Sequence, residues 1–265
     1  MDFVYKEMLN FDTYIWRGQR CDDWLLESTL DRLVREAKIA KTKRSEFLKK
    51  HIEKFKFAAR GRRGSNPANL ESENDWWALG QHHGLATPLL DWTQSPFVAA
   101  YFAYIGTGQT QTRYRAVFAL HKPSVERRVD MLVQQKEAEK KAQKAESESK
   151  STIANKLGLA LLLAQLPVRP EIEFIRPLSD ENQRLVNQAG LFTRTPYNTD
   201  IQKWVQSNHS TDEDDHVLIK ILLPNKDRNE CLKTLNRMNI NHLTLFPDLY
   251  GASKFCNLFS EIESY

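Results

Sequence analysis

Apolar residues recur along the chain at two spacings, and the two alternate without a fixed rhythm. Thr13-Tyr-Ile-Trp-Arg17 reads as a short strand and Arg115-Ala-Val-Phe-Ala-Leu120 as another. Val217-Leu-Ile-Lys-Ile-Leu-Leu223 reads as a third, stopped by Pro224, and Leu243-Thr-Leu-Phe246 as the last. Helical spacing appears over Asp23 to Lys38, where Leu25, Leu26, Leu30, Leu33 and Val34 recur. It appears again over Pro96 to Ile105, with Pro96 in a first turn that tolerates it, and over Lys226 to Met238. Strands and helices mixed without βαβ regularity predict an α+β fold, and residues 1–265 are expected to form one domain.

Two segments break the pattern. From Arg35 to Arg63, 12 Lys or Arg stand against three Glu, a net of +9 in a chain of net +4. Phe47, Ile52, Phe55 and Ala59 give this segment a helical spacing. It is either a solvated helix face or an electrostatic footprint for nucleic acid or another polyanion. From Glu126 to Lys150 the chain is Ala-rich and carries both charges densely, which predicts a long exposed helix outside the core. The apolar run Ile153 to Leu166 follows it, and the two together, about 126–166, read as an inserted helical arm.

Composition narrows the class. With 41% hydrophobic residues and 13 Phe, 8 Tyr and 6 Trp, the chain can bury a sizeable core, which excludes wholesale disorder. No apolar run reaches membrane-spanning length, and the N-terminus has no basic region followed by an apolar one, so no secretion signal is expected. Cys21, Cys231 and Cys256 have no CxxC spacing and are odd in number, which argues against a disulfide framework and for the cytoplasm.

The segment Gln81 to Thr93 holds the densest chemistry. His82 and His83 are adjacent and, in an extended segment, point to opposite faces, so they are poor joint ligands and no metal site is expected. Gly84 permits a turn. Asp91 and Thr93 share one face of an extended segment with Trp92 on the other. A carboxylate and a hydroxyl so placed can bind a ribose or position a nucleophile, or can cap the helix that begins near Pro96. Arg17-Gly18 at a strand end can offer a guanidinium fork to a phosphate. Gln188 closes a short helix expected to be capped by Gly190. Glu171 and Glu173 share an extended face, as an acid/base pair or as edge-strand charges.

These pieces resemble the FRG domain family. The resemblance is carried by Trp16-Arg17-Gly18-Gln19, by Gln81-His82-His83-Gly84, and by Thr87 with Leu89-Leu90-Asp91-Trp92-Thr93. Pro96, Ala100-Tyr101-Phe102-Ala103, Arg184-x-x-x-Gln188-x-Gly190-x-Phe192 and Leu245-Phe246-Pro247-Asp248-Leu249-x-Gly251 extend it. It spans roughly residues 13 to 255 apart from the charged arm. The Arg-Gly strand, and the Asp-Trp-Thr strand leading into an Ala- and Phe-bearing helix, are distantly similar to the first two motifs of ADP-ribosyltransferase toxins, some of them in phage-defence toxin–antitoxin systems.

That likeness implies a mixed-sheet core with flanking helices, NAD as co-substrate, no metal, and an antitoxin partner. It implies Arg17 and Gly18 on the NAD phosphates, His82 or His83 on the adenosine ribose, and Thr93 and Tyr101 among the cofactor contacts. Arg17, Asp91, Thr93, Gln188 and Asp248 form the implied catalytic set. Many such enzymes carry a Glu on a late strand; none stands there in this chain, and Asp248, Gln188 and Glu173 are the candidates for its role. The positive charge gathered from Arg35 to Arg63 favours nucleic acid as the acceptor, RNA above others, held by Lys41, Lys43, Arg44, Lys49 and Lys50. A non-catalytic module that binds nucleotide or nucleic acid is the alternative.

Overall fold

The Tyr-Ile-Trp run at the start supplies the aromatic and branched side chains that suit a pleated surface, and Tyr14–Gln19 is strand β1. The computed structural model describes residues 13–65, 67, 69–106, 112–149, 170–176, 183–195, 199–209 and 216–265, the side chains of 143–149 and 183 excepted. The other strands are β2 (Leu89–Thr93), β3 (Tyr114–His121), β4 (Glu173–Ile175), β5 (Gly190–Arg194) and β6 (Leu218–Pro224). They form one sheet in the order β4-β5-β2-β1-β3-β6.

Each described pairing is antiparallel. This corrects the mixed sheet implied by the toxin likeness. β2 and β3 run parallel to each other and are joined through helix α4 (Pro96–Ile105), but β1 lies between them and pairs with both. The parallel strands therefore never touch.

Helix boundaries follow capping residues more than apolar spacing. The helix expected from Asp23 begins only at α1 (Thr29–Glu36), because Ser28 caps it by accepting from the Asp31 N–H. Lys38, at φ 52, then turns the chain. The basic segment is not one helix: α2 (Arg44–Ala58) holds its centre, and the chain turns again at Gly61, at φ 69. Helix α3 (Glu73–His82) opens on a reciprocal Ser72–Asp75 capping box. Helix α5 (Lys122–Ser149) occupies the first part of the expected arm. Its opening turns are core, with Val125 and Val129 buried and Leu132 and Val133 packed beside them. The apolar half of the arm, 153–166, lies outside the described residues. The remaining helices are α6 (Gln183–Asn187), α7 (Ile201–Asn208), α8 (Arg228–Arg237), α9 (His242–Leu245) and α10 (Leu249–Glu261). The strand expected at Leu243–Phe246 is therefore helical: Asn241 and Thr244 form a second capping box, which closes a helical turn over that apolar run.

Helices cover both faces of the sheet. On one face Tyr14, Trp16, Val117 and Ala119 meet Ala99 and Ala103 of α4, and α8, α9 and α10 pack over α4 through Leu232, Leu245 and Leu258. On the other, Ile15, Leu90, Trp92 and Phe118 meet α5 and α7. Helices α1, α2 and α3 close over Leu89, Ile175 and Phe192.

Candidate functional site

Strand β1 and strand β2 meet at one register pair, Trp16 with Thr93. Next to that junction Arg17 reaches across: its Nη1 donates to the Asp91 carbonyl at 2.7 Å and lies 3.7 Å from the Asp91 carboxylate. The two side chains line a cleft of about 350 Å³ with Trp16, Gly18, Thr93, Phe102, Gln188 and Phe246. That is within the usual range for a small-molecule site. Arg17 is only 18% exposed, whereas Asp91 is 60% exposed. Burial lowers the guanidinium's pKa and the Asp91 charge opposes that. The Arg17 Nε and the Trp16 Nε1 are both buried without a hydrogen-bond partner among the described residues. Two orphaned donors beside a cleft suit a ligand rich in acceptor oxygens.

Gly18 belongs to β1's packing. A Cβ there would stand 1.9 Å from the Ala99 carbonyl oxygen and 2.6 Å from the Ala103 nitrogen, so only glycine lets α4 lie against this strand. Arg17 is followed by two further strand residues, so it is not at the strand's end. The close approach brings Phe102, one turn on from Ala99, to the cleft wall.

Asp91 is also held from below. Gln81 Nε2 donates to Asp91 Oδ1 at 2.8 Å, while Gln81 Oε1 accepts from the Thr87 hydroxyl. Thr87 is fully buried and tied to the start of α1: its N–H donates to Thr29 Oγ1 at 3.0 Å and its carbonyl accepts from the Leu30 N–H at 3.1 Å. Thr93 donates to the Gln188 carbonyl at 2.6 Å and accepts from the Ser95 N–H at 3.1 Å. Its hydroxyl is thus a brace between β2, the turn before α4 and the 188 segment. Helix α4 is capped by Ser95 and not by Asp91 or Thr93. Gln188 lines the cleft while its Nε2 donates to the Leu245 carbonyl at 3.1 Å. The left-handed residue that ends this segment is Ala189, at φ 45, and the expected cap Gly190 instead opens β5.

Four predicted residues lie elsewhere. Tyr101 is 0% exposed and bonds His242 Nδ1 at 2.5 Å; it is core, and its neighbour Phe102 is the cleft residue. His82 ends α3 and His83 is its C-cap. Both therefore sit on a helix end, not on an extended segment; their rings meet edge to face at 4.8 Å and line no part of the cleft. Asp248 is the N-cap of α10, accepting from the Gly251 N–H at 2.9 Å and pairing with Arg184. Those two bonds depress its pKa. Its carboxylate does not line the cleft.

Glu173 lines a different cleft with Glu171, Lys136 and Trp204, and Glu171 is engaged there by Lys136 and Trp204 at 2.6 Å each. Asp91 is therefore the carboxylate of the cleft among the described residues. Sequence reasoning missed Gln81 as its partner and Phe246 as a wall. The signal for Phe102 was present: it lies three residues after Ala99 and shares its helix face.

On the basic segment, Lys41, Lys43, Lys49 and Lys50 are exposed and Arg44 is half-buried. Among the described residues no group of His, Cys, Asp and Glu is arranged to hold a metal, and no helix is long and apolar enough to cross a membrane. Residues 12–112 match the family model of the FRG domain. Trp16, Arg17, Asp91, Thr93 and Phe102 fall inside the match, whereas Gln188 and Phe246 complete the cleft from beyond it. No curated protein and no solved structure matches the chain.

Proposed function

We propose that this cleft binds NAD and that the protein transfers ADP-ribose from it to a nucleic acid, RNA favoured. The observation that carries the reading is Arg17 beside Asp91 in an aromatic-walled cleft. A guanidinium suits a diphosphate. The Trp16, Phe102 and Phe246 rings suit a flat heterocycle. The Asp91 carboxylate, free of competing carboxylates in the cleft, suits the positive charge that develops on the ribose. In the reaction the bond between ribose C1′ and the nicotinamide nitrogen breaks. Both electrons leave with nicotinamide and cancel its ring charge. A lone pair on an acceptor oxygen or nitrogen forms the new bond to C1′, and the acceptor's proton passes to Asp91 or to solvent.

The test is nicotinamide release from NAD, followed by chromatography, with label in the adenylate phosphate tracked into added RNA. Wild type is expected to release nicotinamide and label the RNA. Asp91→Asn is expected to lose roughly 100-fold or more in turnover while still binding NAD. Arg17→Ala is expected to lose NAD binding, and Arg17→Lys to recover little of it, because an ammonium cannot make a bidentate contact. NAD binding without any nicotinamide release would make the cleft a nucleotide-binding module; no binding at all would sink both readings.

A further inference from the structure

Helix α2 buries one face and presents the other. Leu48 and Ile52 are in the core beneath α1 and α3, and Phe55 packs on Trp76 and against Gly80. Helical spacing puts Lys43, Lys50, Lys54 and Phe57 in one stripe on the opposite side, and all four are exposed. Two carboxylates share that side: Glu46, paired with Lys50 at 2.6 Å, and Glu53. The cations outnumber them, and Lys41, Lys49 and Arg60 add exposed charge at the flanks.

The exposed aromatic at the helix's end is the second observation. Phe57 is 68% exposed, a large apolar ring left to solvent beside the cations of the stripe. The Arg60 guanidinium lies over it at 4.8 Å from the ring centroid. A ring has two faces, and one cation covers one of them. We infer that α2 docks single-stranded nucleic acid, with phosphates on Lys43, Lys50 and Lys54 and an unpaired base stacked on Phe57.

The chemistry favours a single strand. A cationic track beside an aromatic ring holds backbone and base together, whatever the sequence, and in a duplex the bases are already stacked on each other. The 15 residues of α2 give a track about 22 Å long, enough for a few nucleotides. Helix α2 also packs on α3, and the residue after Gly80 is Gln81, which holds Asp91 at the cleft. The acceptor role rests on the proposed NAD chemistry, but docking itself does not.

The experiment measures binding without NAD, by fluorescence anisotropy of a labelled oligo(U) or oligo(dT) of about 12 nucleotides, against a duplex of mixed sequence. Salt is varied from about 50 to about 200 mM. Single strand is expected to bind at least tenfold more tightly than duplex. Replacing Lys43, Lys50 and Lys54 by Gln together should weaken binding more than tenfold and flatten the salt dependence by a log–log slope of about 2. Phe57→Ala should weaken it roughly tenfold with the slope kept, and Phe57→Trp should restore it. These positions are exposed, so unchanged melting temperatures are expected. Equal affinity for duplex, no effect of Phe57→Ala, or competition by poly-glutamate as strong as by oligo(U) would overturn the inference, the last pointing to an acidic protein partner. If wild type binds single strands but never consumes NAD, docking stands and the proposed reaction fails; if NAD is consumed but single strands do not bind, the reverse holds.

Discussion

Asp91 owes its place to residues that never enter the cleft. Thr87 orients the Gln81 amide, and Gln81 fixes one carboxylate oxygen while Arg17 sits by the other. Gln81 is thus a positioning residue for the proposed chemistry. Gln81→Ala is expected to lower kcat for NAD cleavage roughly tenfold with little change in KM, because it frees the carboxylate and leaves the Arg17 side of the cleft untouched. Gln81→Glu sets a second carboxylate against Asp91, which raises the pKa of the pair, so the acid limb of the pH–rate profile should move to higher pH. An Ala variant with wild-type kcat, or a Glu variant with an unmoved profile, would remove Gln81 from the site. Arg17, Asp91 and Thr93 were legible in the chain, since alternation along Leu89 to Thr93 sets which side chains share a face. Tyr101 and Asp248 were not, because spacing cannot tell a hydroxyl sealed under His242 from one in a cleft, or a cap from a free carboxylate.

The contact of α4 on β1 sets the spacing of the cleft's walls. It depends on small residues at three places, Gly18 on the strand and Ala99 and Ala103 on the helix. A methyl group at residue 18 collides with helix backbone, which cannot rotate away as a side chain can. Gly18→Ala is therefore expected to destabilise the fold by on the order of 3 kcal/mol or more and to lower the melting temperature by about 10 °C. Gly84→Ala, where φ is 86 and nothing lies within 4 Å, offers a contrast: strain alone should cost about 1 kcal/mol. Equal, small losses in the two variants, read by thermal melting, would mean that α4 can slide and that its position does not set the cleft. At this scale, strands with strict alternation were legible, and elements governed by caps were not. The Asn241–Thr244 box makes a helical turn from Leu-Thr-Leu, and Ser28 delays α1 to Thr29, although leucines precede it.

The order of the sheet was beyond reach of local pattern, because it depends on β1 being inserted between β2 and β3, a contact between distant segments. The same long-range assembly buries His242, which packs its ring on Phe246 at 5.0 Å and shares a hydrogen bond with the Tyr101 hydroxyl. Burial, aided by the charge of Lys254, pushes the pKa of His242 down from 6.5 to about 4, so the folded protein holds it neutral. The unfolded chain takes up a proton near pH 6.5 and the folded chain does not until about pH 4. Between those values the unfolded state binds more protons, so stability falls as the pH falls. His242 should therefore contribute a loss of about 2 kcal/mol between pH 7 and pH 5, and the full effect should be reached near pH 4. Asp248 acts lower: its depressed pKa gives stability that is present above the ordinary carboxylate range and disappears as pH falls through its folded value, outside this window. The measurement is a difference, urea unfolding of wild type and of His242→Leu at pH 7 and pH 5. The variant will be less stable at pH 7, since it strands the Tyr101 hydroxyl, but its loss on acidification should be smaller than that of wild type by about 2 kcal/mol. Parallel losses in the two proteins would show that His242 is protonated in the folded state as readily as in the unfolded one, and that burial does not hold it neutral.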